Sequence, residues 1–300
     1  MDLKKAMLAR HSVRQYEPIP LTDSQIGALQ AEIKAINEEA GLHFQLVTDE
    51  PKAFDCFMAH YGKFSGVTNY LALVGPKSAD LEEKCGYYGE RLVLLAQTLG
   101  LNSCWVALTY KKVPGAFSVG TGEKLTVVIS LGIGKTQGAA HKSKAVSDVS
   151  QYEGEMPDWF RSGVEAALLA PTAINQQRFF FAGFGNAVSA TDQKSVCSKI
   201  DLGIVKYHFE LGAGKDSFIW AKQEAQGSGH RIPVFSQGAL CSASRMMQKA
   251  YAAISRKKVM QKQGGPCAAF PLLTTSAQRA ILDSSLSQQV ISCKFKDVSK

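Results

Sequence analysis

No two of the seven cysteines form a C-x-x-C pair, and their odd number and wide scatter (56, 85, 104, 197, 241, 267 and 293) argue against a zinc knuckle or a disulfide framework. Reduced thiols are the expectation. No run of about 18 apolar residues occurs, and Met1-Asp2-Leu3-Lys4-Lys5 is followed by no sustained apolar stretch, so no membrane partner and no secretion are expected, with the cytoplasm as the expected location. Acidic residues are scarce at one end only. Residues 225–300 hold 11 Lys+Arg against 2 Asp+Glu, whereas the first 224 residues carry a net charge of −1. The overall charge of +8 therefore belongs to the tail, where a basic extension is more often solvated than bound to nucleic acid; nucleic acid is disfavoured as a partner.

Complete nucleotide and metal motifs are also missing. Gly132-Ile133-Gly134-Lys135-Thr136-Gln137-Gly138 has its third glycine displaced by one, and residues 139–145 offer no apolar face for the helix that a dinucleotide loop must open. Gly134-Lys135-Thr136 has Ile129 where a phosphate-binding P-loop needs glycine. His208-Phe209-Glu210 with Pro266-Cys267 has Phe270 in place of the second cysteine of a zinc deaminase. No metal is expected, and no Ser/His/Asp set is legible.

What is present supports a sizeable core: 300 residues, 45% apolar, room for one large domain or two. Asp2 can cap a first helix with Leu3, Ala6 and Met7 on one face. Thr22-Asp23-Ser24-Gln25 reads as a capping box before the stripe Ile26, Leu29, Ile33, Ile36. Short β-rich runs at 43–47, 70–74, 103–108 and 125–129 read as strands, and an apolar helix between 85 and 99 stops at Gly100. Helices alternating with strands point to a sheet with helices packed on its faces. In the second half a helix at 159–169 precedes a strand at 178–182, repeating the earlier order. Gly89 to Gly100 and Gly203 to Gly214 span the same interval, each followed by a tryptophan, Trp105 and Trp220, which points to an internal duplication. The expected divisions are 1–150, 151–224 and a basic extension, 225–300, with one helix near 239–254.

Two stretches carry chemistry. Arg10-His11-Ser12-Val13-Arg14 sets two guanidiniums four residues apart with a hydroxyl between them, on one side of a helical turn, suited to a phosphate or a polyol chain. In Ala170-Pro171-Thr172-Ala173-Ile174-Asn175-Gln176-Gln177, proline must break the preceding helix and expose a hydroxyl and several amides, which suits the edge of a polar heterocycle.

Together with Gly100-Leu101-Asn102-Ser103-Cys104-Trp105, Leu131-Gly132-Ile133-Gly134 and His141-Lys142-Ser143-Lys144, these stretches resemble the FMN-dependent nitroreductase family, in its TM-type branch with two nitroreductase-like repeats per chain. The resemblance spans about residues 1–220. It implies an α+β nitroreductase-like fold, internally duplicated as an intramolecular pseudo-dimer that can be monomeric, in place of the family's intertwined homodimer. Arg10, His11, Ser12 and Arg14 would hold phosphate and ribityl chain, and Lys142 or Lys144 would add positive charge. Pro171, Thr172, Asn175 and Gln177 would edge the flavin ring, with the segment 104–109 nearby. Each half lacks what the other keeps, which implies one FMN site per chain. Where the first half should have the polar loop stands Ile36-Asn37-Glu38-Glu39-Ala40. Where the second should have the basic pair stands Glu153-Gly154-Glu155-Met156-Pro157-Asp158. The implied activity is hydride transfer from NADH or NADPH through FMN to a small-molecule acceptor such as a nitroaromatic or quinone, with no catalytic side chain. The alternatives are an FMN carrier or sensor without turnover, and a degenerate fold with an interaction role for the basic tail.

Overall fold

Asp2 accepts a hydrogen bond from the Lys5 backbone N–H at 2.8 Å and so starts α1 (Leu3–Ala9), with Ala6 and Met7 buried. The expected capping box is present: Thr22 Oγ1 accepts from the Gln25 N–H at 3.2 Å, and Gln25 Oε1 accepts from the Thr22 N–H at 3.0 Å. It opens α2 (Asp23–Ala40), which buries Leu29, Ile33 and Ile36 and ends at Gly41 in the left-handed region (φ 64°). The computed structural model describes residues 1–221, all within one compact unit. The basic extension and the helix expected near 239–254 lie outside the described residues.

After α2 the chain forms β1 (Gln45–Val47), α3 (Phe57–Tyr61), β2 (Asn69–Pro76), α4 (Leu81–Thr98), β3 (Asn102–Val106) and β4 (Glu123–Gly132). The strand expected at 43–47 is regular over β1 and extends to His43, whose N–H donates to the Val74 carbonyl at 2.9 Å, while the Asn37 side chain binds both the N–H and the carbonyl of Phe44, at 2.8 and 3.0 Å. The four strands make one sheet, order β1-β2-β4-β3, with every neighbouring pair antiparallel.

A second sheet, order β5-β6-β7-β8, follows. It is built from β5 (Ser150–Tyr152), β6 (Phe179–Phe184), β7 (Ala187–Asp192) and β8 (Ile219–Trp220), with α5 (Val146–Val149), α6 (Asp158–Ala167) and α7 (Ser198–Ala213). The division expected at 150/151 falls inside β5, which pairs in parallel with β6 through Ser150–Phe181. β7, antiparallel to β6, and α3 were not legible in the sequence.

One continuous core joins both sheets through α4 and α7, from Leu73 and Ile129 to Phe181 and Phe209, whose rings stack at 4.6 Å. The helices cross at Gly86 and Gly203. A Cβ on Gly86 would lie 2.0 Å from the Ile200 carbonyl oxygen, and one on Gly203 would lie 2.0 Å from the Glu83 carbonyl oxygen. Each glycine thus faces the residue three positions before the other, so the partner of Gly203 is Gly86 and not Gly89. Gly89 instead makes room for Trp105, whose ring would be 2.5 Å from a Cβ there.

The crossing predicts opposite outcomes for two helical glycines. Gly27→Ala in α2, where a Cβ meets nothing within 4 Å, should gain up to about 1 kcal/mol from helix propensity. Gly203→Ala should lose about 1–3 kcal/mol from overpacking, read as the shift in urea midpoint.

Candidate functional site

Arg10 caps α1 with extended backbone (φ −71°, ψ 122°), and the chain then runs along β3: the Val13 N–H donates to the Ser103 carbonyl at 3.0 Å, and Ser12 bridges Ser103 in parallel. The expected helical turn over 10–14 is therefore replaced by an extended segment. Its two arginines part company, Arg10 buried at 3% exposure and Arg14 exposed, 5.9 Å from the centre of the Phe64 ring. Tyr16 anchors the segment. Its buried hydroxyl donates to the Val13 carbonyl at 2.6 Å and lies 2.8 Å from Ser130 Oγ.

The glycine run after β4 closes against the same segment. The Gly134 N–H donates to Asn102 Oδ1 at 2.9 Å, and a Cβ on Gly138 (φ 72°) would lie 2.8 Å from His11 Cβ. These glycines serve close packing, and no helix opens at them. His11 is half-buried, and its pKa is lowered, first by desolvation and then by the charges of Arg10 and His141.

The loop after α6 is fixed from two sides. From the 141–144 segment, His141 Nε2 and Ser143 Oγ meet the Leu168 carbonyl at 2.9 and 3.2 Å. The Lys142 carbonyl accepts from Asn175 Nδ2 at 2.9 Å and from Gln177 Nε2 at 2.7 Å. The Lys144 N–H donates to Gln177 Oε1 at 2.9 Å and its ammonium to the Gln177 carbonyl at 2.8 Å. The Gln177 N–H donates to Thr172 Oγ1 at 3.1 Å. From α7, Asp201 accepts from the Ala173 N–H at 3.0 Å and from Gln176 Nε2 at 2.9 Å. Burial pushes the Asp201 carboxyl up to about 6 against these lowering hydrogen bonds. Pro171 is buried, whereas Ile174 is 95% exposed. Ile174, Asn175 and Gln177 all have positive φ, at 46°, 55° and 46°. For a β-branched isoleucine that is a true backbone outlier.

The structure thus brings Lys142, Lys144, Thr172, Asn175 and Gln177 into one network and sets His11 against Gly138, three residues before His141. Thr172, Asn175 and Gln177 hydrogen-bond within the loop and to the 142–144 segment, so they shape the loop, and the Lys144 ammonium is engaged there too. Lys142 is exposed.

Sequence reasoning missed the partner of Arg10. Glu90 of α4, fully buried, lies with Oε1 3.9 Å from Arg10 Nε. Its oxygens are already taken, by His208 Nε2 of α7 at 2.9 Å and by the Trp105 indole N–H at 2.9 Å. Arg10 Nε is buried and has no hydrogen-bond partner. A charged residue among the apolar positions of α4 was the available signal, as was His208, which the zinc pattern had drawn attention to.

Among the described residues no group of three or more His, Cys, Asp or Glu could hold a metal ion, and no helix is long and apolar enough to cross a membrane.

Two four-stranded sheets joined through a crossing pair of helices define a nitroreductase-like α+β fold. Residues 2–213 match the family described as "Putative TM nitroreductase", and the chain belongs to that family. Among solved structures it is similar to a putative nitroreductase from Thermotoga maritima, with 19% identity and a TM-score of 0.54 over 75% of this chain and 91% of that one. A putative nitroreductase from Desulfovibrio desulfuricans, solved in complex with FMN, has 16% identity and a TM-score of 0.40 over 52% of this chain and 99% of its own. No curated protein matches the sequence.

A raised Asp201 pKa makes a signed prediction. The folded state binds the extra proton between about pH 4 and 6, so this group's contribution to stability is full below about 4 and is lost as pH rises through about 6. Asp201→Asn should remove that component. The difference in urea midpoint between wild type and variant, measured from pH 4 to 7, should change with pH over this window and be level above it.

Proposed function

We propose that the protein is an FMN-dependent oxidoreductase, with NADH or NADPH as electron donor and a small electron-poor acceptor. The observation that carries the reading is the Arg10 guanidinium, buried at the head of the Arg-x-Ser-x-Arg segment with its Nε lacking a hydrogen-bond partner. A buried donor with no hydrogen bond and only a long, 3.9 Å ion pair to Glu90 is costly, and an anionic phosphate offers the charge-assisted bond it lacks. The residues present fit the group: Arg10, Ser12 and Arg14 hold phosphate and ribityl chain beside half-buried His11, and Lys142 adds a solvent-facing charge.

Bound FMN supplies hydride uptake from NADH or NADPH and its delivery to a nitroaromatic, quinone or similar acceptor. The protein's part is positioning. Thr172, Asn175, Gln177 and Lys144 lock the loop so that Pro171 and the exposed Ile174 keep fixed places at the ring. Cys104, buried in β3 and with its thiol pKa pushed up by burial, stays protonated and is not a nucleophile.

In this reading the chain is an internal duplication with one flavin site. The reciprocal glycines at the α4–α7 crossing support it. The stretch that stands in for the polar loop in the first half is the last turn of α2, where there is no loop to reach a ring.

Purified protein should carry about one FMN per chain by its visible spectrum and flavin content. Arg14→Ala should weaken FMN binding about tenfold or more, the scale of one charge-assisted contact. NAD(P)H oxidation with a quinone or nitroaromatic should follow. Protein that takes up no added FMN would overturn the reading, and about two FMN per chain would overturn the single site.

A further inference from the structure

The Arg10–Glu90–His208 cluster has a proton inventory that its geometry defines. His208 Nδ1 lies 3.1 Å from the Ala166 carbonyl oxygen, which can only accept, so this contact is a hydrogen bond only when Nδ1 carries the proton. The contact between His208 Nε2 and Glu90 Oε1 at 2.9 Å then needs one proton more, on the imidazole or on the carboxyl. Wherever it sits, the three side chains together carry a net charge of +1 and both Glu90 oxygens are occupied. The geometry agrees, since Arg10 Nε stands off at 3.9 Å and makes no hydrogen bond. Without that proton, Oε1 would face a lone pair, and an ionised carboxylate in a dry interior would draw the nearest free cation, Arg10.

We propose that Glu90 and His208 are positioning residues for Arg10: the proton they share releases the guanidinium to a phosphate monoester, and its loss returns Arg10 to Glu90. The inference rests on the flavin reading above and adds a regulation of that site. The other groups facing the cluster are few. They are the Trp105 indole and the Cys104 thiol from β3, the Ala166 carbonyl from α6, the Tyr207 phenol beside His208 on α7, and the His11 imidazole next to Arg10. Desolvation and the Arg10 charge lower the His11 pKa, so that it is neutral above pH 7. The phenol and the thiol are both pushed up by burial, to about 12 for Tyr207, and stay neutral at neutral pH.

The test compares FMN with riboflavin, which share the ring and differ in the phosphate. Quenching of flavin fluorescence on titration with protein gives both affinities between pH 7 and 9.5, where a phosphate monoester is already dianionic. The ratio of FMN to riboflavin affinity should fall as pH rises, by at most about tenfold per unit, the limit for one linked proton. In Glu90→Gln the amide accepts from Trp105 and donates to neutral His208, so every hydrogen bond survives without the extra proton or the carboxylate. Its ratio should stay high and level. His208→Gln leaves Glu90 ionised with no proton to share, and its ratio should be low and level. A level ratio in wild type, or both variants displaced in the same direction as a merely structural role would give, overturns the proposal. If neither flavin is quenched, the flavin reading itself fails and the proposal falls with it.

Discussion

Helices α4 and α7 meet where neither has a side chain. With Gly86 and Gly203 facing each other's carbonyls, two backbones approach as closely as sterics permit, and the polar contacts of the interior gather along that crossing. His208 reaches Glu90 across it at 2.9 Å, and the Tyr87 hydroxyl reaches Glu210 at 2.6 Å. A fully buried carboxylate is expensive to desolvate and survives only with good partners. Glu90 has two, one from the other helix and one from β3, and neither distance would close if the helices stood a methyl group apart. The buried arginine, and with it the phosphate site proposed here, depends on that absence of two methyl groups.

The same helix fixes the far end of the site. Asp201 and His208 are seven residues apart on α7, which is about 700° of rotation, so they share a face and are about 10 Å apart along the axis. Asp201 holds the loop through the Ala173 N–H and Gln176, while His208 holds the carboxylate beside Arg10. Left-handed residues such as Ile174 cost on the order of 1–3 kcal/mol each. Opposing that are the hydrogen bonds from Asp201 and around Gln177, each worth about 0.5–1.5 kcal/mol net. The loop is held from two directions, and α7 spaces it from Arg10 as a rigid rod.

Much of this was legible because it is local. The Thr22–Gln25 box, the α2 stripe and the order of strands and helices follow from neighbours a few residues apart, and the four motifs in sequence order carried the family resemblance. What was missed is non-local. The turn expected over 10–14 gave way to extended chain because β3 supplied hydrogen bonds that the sequence does not display. Equal spacing set Gly89 beside Gly203, whereas contact selects Gly86, one turn earlier. β7 escaped because Ser189, Thr191 and Asp192 dilute its apolar pattern, although pairing with β6 secures it. Thr172, Asn175 and Gln177 were legible as polar but not as mutually satisfied, since direction in space decides whether an amide faces a ligand or its own backbone.

The two indole–carboxylate pairs are not register equivalents, since Glu90 stands four residues after Gly86 and Glu210 seven after Gly203. They differ in the cation beside each carboxylate, a difference that on the proposed flavin reading favours a phosphate in one half. Glu90 is wholly buried and its third neighbour is Arg10, itself buried, so the carboxylate acts on that cation in a low dielectric. Glu210 also receives an indole N–H and a hydroxyl, but its cation is Lys215, at 3.1 Å and exposed, where water screens the pair. A screened surface lysine has little hold on an anion and no unmet donor in the interior. The acidic stretch Glu153-Gly154-Glu155 in the place of a basic pair adds repulsion to that weakness. On the single-site reading the arginines of the second half, Arg161 and Arg178, are exposed, so the carboxylate there has no buried guanidinium to release.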